Sequence, residues 1–153
     1  MAILSLVIPC YNESKTLPSL IERCADTILR NDIEVVLVDN GSTDQTSEVI
    51  ANLLPSHPNM RGVRVPINQG YGYGILTGLR TCTSTYLSWT HADMQTDPAD
   101  VIRGLEFFEV AENPQKLFIK GRRHGRPFGD VVFTVAMSAF EVLLLGQKFW
   151  DIN

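Results

Sequence analysis

The chain reads as an α/β protein: a mostly parallel sheet with helices on both faces. Three observations predict this. Apolar runs of strand length alternate along the chain with segments whose apolar residues recur at helical spacing. Strictly alternating β and α elements imply a parallel sheet covered on both sides. Polar clusters follow directly on the apolar runs, and open parallel sheets bind their ligands beyond the carboxyl ends of the strands.

The elements can be justified in order. Ile3 to Ile8 is an apolar run closed by Pro9, which suits a buried strand. Leu17, Leu20, Ile21, Cys24, Ala25 and Ile28 then recur at helical spacing, with Thr16 as the cap. Ile33 to Val38 is a second buried strand, and Thr46, Val49, Ile50 and Leu53 mark a second helix. Gly62 to Pro66 is a short third strand. Ile75 and Leu79 sit on a third helix that starts in a glycine-rich loop. Tyr86 to Trp89 is a fourth strand. Asp97-Pro98 gives a cap and a first helical position, and Val101, Ile102, Leu105 and Phe108 give that helix its face. Leu117 to Lys120 is predicted as a further strand and Phe128 to Leu145 as the last helix. No internal repeat or Pro/Ser-rich linker interrupts the pattern, so residues 1–153 are expected to form one domain.

Composition excludes several classes. The 153 residues are 44% hydrophobic and 20% charged, a globular balance that rules out wholesale disorder. Thirteen Lys and Arg against 17 Asp and Glu leave a net charge of −4, which argues against a general nucleic-acid binder. Cys10, Cys24 and Cys82 are odd in number and widely spaced, so neither a disulfide framework nor a zinc ribbon is supported. Met1 to Pro9 lacks the basic start of a secretory signal, and the longest apolar stretch, Val131 to Leu145, contains Ser138 and Glu141. The expected compartment is the cytoplasm. In that setting the sequons at Asn12 and Asn40 carry no sugar.

Chemistry concentrates at the strand ends. Asp39 and Asp44 flank a turn made by Asn40-Gly41-Ser42. One reading is a βα loop in which Thr43 or Asp44 caps the next helix; the other has Asp39 accepting hydrogen bonds from a ligand. A second polar cluster, Tyr11 to Glu13, favours the ligand. Asp39→Ala is then expected to weaken binding and leave the fold intact. His91, Asp93 and Gln95 alternate, which in an extended segment puts all three side chains on one face. Nitrogen, carboxylate and amide oxygen together can hold a divalent cation. Lys116, Lys120, Arg122, Arg123, His124 and Arg126 form a basic run in an acidic chain, and arginine forks suit phosphate oxygens. Gly70, Gly72, Gly74 and Gly78 do not make a dinucleotide fingerprint, which belongs after the first strand; there the chain reads Pro9-Cys10-Tyr11-Asn12-Glu13.

Taken together and in order, the segments Ile8 to Glu13, Val38 to Asp44, Asn68-Gln69-Gly70 and Ala92 to Pro98 resemble the motifs of family 2 glycosyltransferases of the GT-A fold. Within the family the chain is most similar to the dolichyl-phosphate mannose synthase and polyprenyl-phosphate glycosyltransferase group. The resemblance covers essentially the whole chain. It implies transfer of a sugar, with inversion, from a nucleotide diphosphate sugar of UDP or GDP type, aided by Mn²⁺ or Mg²⁺. It implies that Pro9, Tyr11, Glu13, Asp39, Asn68, Ala92 and Asp93 line the nucleotide-sugar site, and that Lys120, Arg122 and Arg126 contact phosphates. Asp93 and Gln95 match the acid and amide of the family's metal motif, and His91 stands where the family has a first aspartate. Histidine brings no negative charge and favours softer ions than Mg²⁺. Asp151 matches the start of a later motif near the reacting centre and is the catalytic candidate. The family continues past Asp151-Ile152-Asn153, so this stretch is expected to be incomplete on the acceptor side.

The acceptor is expected to be a polyprenyl phosphate or a sugar. The last predicted helix is apolar nearly all round, which suits burial or a homodimer interface better than peripheral contact at the inner face of the membrane. The alternative function is a non-catalytic nucleotide-sugar-binding or scaffolding domain of the same fold.

Overall fold

Strands and helices alternate in the computed structural model, which describes residues 2–28 and 32–121. In chain order they are β1 (Leu4–Cys10), α1 (Leu17–Thr27), β2 (Ile33–Asn40), α2 (Thr46–Leu53), β3 (Met60–Val65), α3 (Tyr71–Arg80), β4 (Tyr86–Trp89) and α4 (Asp100–Val110). The strands form one sheet in the order β3-β2-β1-β4, and every pairing is parallel, as the alternation predicts. The chain divides after Ile119 into two compact units, and the fold described here is that of the first.

Both faces of the sheet are covered because both faces of its central strands are apolar. Leu4, Leu6, Ile8 and Cys10 of β1 join Ile33, Val35 and Leu37 of β2 on one face. Leu17, Leu20, Ile21 and Cys24 of α1, Ile50 of α2 and Leu105 of α4 close over them. Val7, Val36, Val38 and Val65 line the opposite face, with Leu79 of α3 packed against them. The glycines of α3 set how closely that helix approaches. A Cβ on Gly78 would lie 2.4 Å from Val7 Cγ1 and 2.7 Å from Val38 Cγ2, and one on Gly74 would lie 2.9 Å from Asn40 Cγ.

The register levels the carboxyl ends of β1, β2 and β3, while β4 stops short of them. Cys10 sits opposite Asp39, Asp39 opposite Arg64, and Val7 opposite Trp89. β1 runs two residues past the predicted Ile8. Pro9 closes the β1–β4 ladder: Thr90 N–H still donates to the Val7 carbonyl at 3.1 Å, but Pro9 has no N–H to carry the parallel pairing further, and β4 ends opposite Val7.

Two expectations are corrected. α4 starts at Asp100 rather than at Pro98, because Asp97 closes a turn first: its Oδ1 accepts the Ala99 N–H at 3.0 Å and its carbonyl accepts the Asp100 N–H at 3.0 Å. The same carboxylate takes the Arg23 guanidinium of α1, whose hydrogen bonds hold Asp97 below the usual carboxylate range. Leu117 to Lys120 is not a strand. It is extended chain after a short 3₁₀ turn, without a ladder partner among the described residues. Phe118 instead leans an exposed ring on Trp89, 6.1 Å between centroids. The predicted helix from Phe128 to Leu145 lies outside the described residues. Among the described residues no helix is long and apolar enough to cross a membrane.

Candidate functional site

The β1–α1 and β2–α2 loops are joined by hydrogen bonds at the carboxyl edge of the sheet. Asn12 adopts φ +57°, which turns its side chain across the gap. Its Oδ1 accepts the Thr43 N–H at 2.9 Å and the Asp44 N–H at 3.3 Å, while its own N–H donates to Ser42 Oγ at 3.1 Å. Glu13 N–H donates to Thr46 Oγ1 at 2.9 Å and Ser14 N–H to Asp44 Oδ2 at 3.2 Å. Asp44 Oδ1 accepts from the Thr46 N–H at 3.0 Å. Both loops are thereby fixed before any ligand arrives, and Tyr11 is left 46% exposed on their rim.

Asp44 makes this joint acid-sensitive. Desolvation opposes its charge, but the hydrogen bonds from Thr46 and Ser14 outweigh that and hold its pKa at about 2. An unfolded aspartate titrates near about 3.9. A depressed folded value contributes stability that is present above the unfolded pKa and lost as pH falls through the folded one. Asp44→Asn is therefore expected to be less stable than wild type at neutral pH, with the gap closing as pH falls from about 4 towards 2. Urea midpoints of both proteins across that range check this; a gap independent of pH would remove the carboxylate from the joint.

Asp39 lies at the end of β2 and is only 3% exposed. Its Oδ1 accepts the Ser42 N–H at 2.9 Å, its Oδ2 accepts the Ser47 hydroxyl, and Arg64 Nε on β3 is 3.7 Å from Oδ2. The carboxylate thus shapes its own loop, and an Asp39→Ala variant with an undisturbed fold is no longer expected. A cleft of about 560 Å³ runs from Asp39 and Ser47 between α2 and β3, lined by Ile50, Leu54, Val63 and Arg64. Cys10, opposite Asp39, is no nucleophile: burial, with Glu13 and Asp39 nearby, pushes its thiol far above the usual range.

The β3–α3 loop crosses directly over Gly41. A Cβ there would lie 2.3 Å from Asn68 N and 2.6 Å from the Ile67 carbonyl carbon, and Gly41 has φ +72°. Asn68 is thereby set beside the Asp39 loop, although its Oδ1 accepts the Gly70 N–H at 2.7 Å and so braces its own turn. Asn40, 2% exposed, donates Nδ2–H to the Gly70 carbonyl at 3.0 Å and fixes the start of α3.

The segment after β4 departs from expectation. Residues 92–96 bend, and Met94 takes φ +60°, so His91, Asp93 and Gln95 do not share one face of an extended strand. Asp93 Oδ1 accepts the Gln95 N–H at 3.0 Å, an Asx turn that makes the alternation a loop signal. The His91 ring stacks on Tyr71, 4.9 Å between centroids and 5° from parallel, with the Tyr71 hydroxyl 3.4 Å from Nε2. Among the described residues no three His, Cys, Asp or Glu groups gather around one point. The donor types still fit a divalent cation that takes part of its shell from a phosphate, as Mg²⁺ commonly does.

The remaining candidates divide clearly. Pro9 packs under Gly74, where an added Cβ would meet its own at 3.2 Å. Glu13 turns towards the start of α1, accepting the Thr16 hydroxyl, and Ala92 is buried in the core. Lys120 belongs to the second unit, and Arg122, Arg126 and Asp151 lie outside the described residues. Three residues not singled out from the sequence stand at the site: Asn40, Arg64 and Tyr71. Only Asn40 left a signal, since it shares a strand face with Val36 and Val38, where a buried amide needs a reason.

The model of the Glycosyl transferase family 2 matches residues 5–127. The chain belongs to that family. Among its family relatives, the undecaprenyl-phosphate 4-deoxy-4-formamido-L-arabinose transferase of an Enterobacter species is 35% identical over 103 residues, 65% of this chain and 31% of the relative. A dolichyl-phosphate beta-glucosyltransferase of Trichomonas vaginalis is 32% identical over 124 residues, 76% of this chain and 36% of the relative. The chain thus spans about a third of the length of such family 2 relatives. A mannosyltransferase of Pyrobaculum calidifontis, solved with GDP-Man and Mn²⁺, superposes with a TM-score of 0.58 at 26% identity over 72% of this chain and 33% of that one. S. aureus TarS with UDP gives 0.61 at 22% identity over 71% of this chain and 32% of that one, which speaks to the fold alone. The family's GT-A fold is the α/β architecture described above.

Proposed function

We propose that the chain is the nucleotide-sugar-binding part of an inverting glycosyltransferase. The donor is a nucleoside diphosphate sugar of UDP or GDP type, and a polyprenyl phosphate is the favoured acceptor. The observation that carries this reading is the convergence of three braced loops on Asp39 at the carboxyl edge of a parallel sheet. The two relatives, named for undecaprenyl phosphate and dolichyl phosphate, support the acceptor class. We read residues 1–153 as part of one GT-A domain, because the family match runs across the boundary after Ile119. A cytoplasmic site at the inner face of the membrane, and pairing into a homodimer, belong to the same reading.

The residues then take these roles. Tyr11 offers an exposed ring to the donor, and Asp39 with Arg64 sets an acceptor beside a donor at the site's edge. His91, Asp93 and Gln95 would hold Mn²⁺ or Mg²⁺, which when bound offsets the charge that builds on the diphosphate. Lys120, Arg122 and Arg126 would add cationic stabilisation of the same leaving group. A phosphate acceptor is already ionised and needs no strong general base; with a hydroxyl acceptor, Asp151 would take the proton.

Thermal unfolding of the chain with UDP or GDP, with and without Mn²⁺, tests the reading. A nucleotide at a hundredfold excess over its Kd is expected to stabilise by about 2.7 kcal/mol. No shift with either nucleotide in the presence of Mn²⁺ or Mg²⁺ would overturn it.

A further inference from the structure

We infer that Tyr71 is the positioning residue for His91, its ring fixing the plane in which the imidazole meets the donor's diphosphate and cation. This rests on the nucleotide-sugar reading above and adds to it a residue of α3.

Two independently anchored elements deliver the stacked rings. On one side α3 lies close against the sheet and is tied to it at its start. Asn40 holds the Gly70 carbonyl, immediately before Tyr71, and the next turns are set by Gly74 against Asn40 and Pro9 and by Gly78 against Val7 and Val38. On the other side His91 follows Thr90, whose N–H donates to the Val7 carbonyl at 3.1 Å, and precedes the buried Ala92. Both backbones are therefore fixed to the sheet before the side chains meet. The rings then lie 5° from parallel, with the hydroxyl within 3.4 Å of Nε2.

Chemistry gives this stack a purpose. A carboxylate at position 91 would offer two equivalent oxygens and tolerate rotation. An imidazole offers one lone pair in the ring plane, so it ligates or donates only when that plane is aimed. Partners that orient a ligating histidine govern its usefulness, and their loss commonly lowers metal affinity 10–100-fold. An aromatic platform is thus what a histidine at this position requires and a carboxylate would not.

The experiment is a double-mutant cycle on the 153-residue chain: wild type, Tyr71→Leu, His91→Ala and the double variant, with UDP or GDP binding measured by calorimetry with and without Mn²⁺. Tyr71→Leu is expected to weaken Mn²⁺-dependent nucleotide binding roughly tenfold and Mn²⁺-free binding little. The double variant is expected to bind no worse than His91→Ala. Tyr71→Phe, which keeps the ring, should recover most of what Tyr71→Leu loses. His91 ring proton shifts, read by NMR without nucleotide, should move in Tyr71→Leu as the stack is lost. Additive losses in the cycle, or a Tyr71→Leu variant that binds as wild type does, would overturn the inference and leave the glycosyltransferase reading standing. A wild type that binds neither nucleotide would overturn both.

Discussion

Gly41→Ala is expected to cost this fold roughly 2–5 kcal/mol, the sum of a left-handed backbone penalty and of overpacking. The first contribution follows from φ +72°, which an L side chain rarely adopts. The second follows from what the methyl would meet: Asn68 N at 2.3 Å and the Ile67 carbonyl carbon at 2.6 Å. Those atoms are backbone, so no rotamer change relieves the contact, and the β3–α3 loop must lift. Lifting it moves Asn68 away from Gly41 and loosens Gly70, which Asn40 holds. Nucleotide affinity is therefore expected to fall together with stability. Gly72→Ala is the matched control. It lies in the first turn of α3 with nothing within 4 Å of its missing Cβ, and alanine there should stabilise by about 0.5–1 kcal/mol. Urea unfolding of both variants checks the pair. Equal midpoints would mean that the loop is not closed over Gly41.

What could be read in the sequence, and what could not, follows from where each residue's information resides. β1 and β2 were legible because both faces of a central strand are buried, so an unbroken apolar run has one sensible home. α1 was legible because Leu17, Leu20, Ile21 and Cys24 share one buried face. The strand-end location of the site followed from the α/β order alone. Leu117 to Lys120 misled because an apolar run of four has strand composition whether or not a partner lies beside it, and pairing is a tertiary fact. The shared face expected of His91, Asp93 and Gln95 did not form, because period-two spacing fixes a face only in extended chain and Met94 turns left-handed between the last two. Arg64 and Tyr71 could not be found in sequence: one matters through its register opposite Asp39, the other through a ring 20 positions away. Asn40 was hidden inside a motif read for its aspartates, although its alternation with Val36 and Val38 already aimed it into the core under α3.

Asp39→Ala is expected to lower stability and nucleotide affinity together, and its comparison with Ser47→Ala separates the two. The Asp39 carboxylate is nearly inaccessible and accepts from the Ser42 N–H and the Ser47 hydroxyl, with Arg64 at 3.7 Å. Removing it forfeits a charge-assisted hydrogen bond, worth about 1.5–3 kcal/mol, and strands a partly buried N–H at a further 1–3 kcal/mol. Ser47→Ala removes only one neutral donor to the same oxygen, a loss of about 0.5–1.5 kcal/mol, and frees that lone pair for a ligand. If Asp39 only braces the β2–α2 loop, affinity should follow stability through both variants, because each loosens the same turn. If it also accepts an N–H from the nucleotide base, Asp39→Ala should lose far more affinity than its stability explains, while Ser47→Ala keeps or gains affinity as it loses stability. Asp39→Asn sharpens the distinction. It retains one oxygen for the Ser42 N–H, so much of the loop survives, but it turns an amide donor towards either Ser47 or the base and discards the charge that faces Arg64. The expected order of stability is wild type, Asp39→Asn, Asp39→Ala, and in affinity the asparagine variant should fall close to the alanine one. Calorimetric titration with UDP and GDP alongside urea unfolding reads both quantities. An asparagine variant that binds as tightly as wild type would confine Asp39 to the loop and leave Arg64 as the group at that edge of the site with a charge to offer the donor.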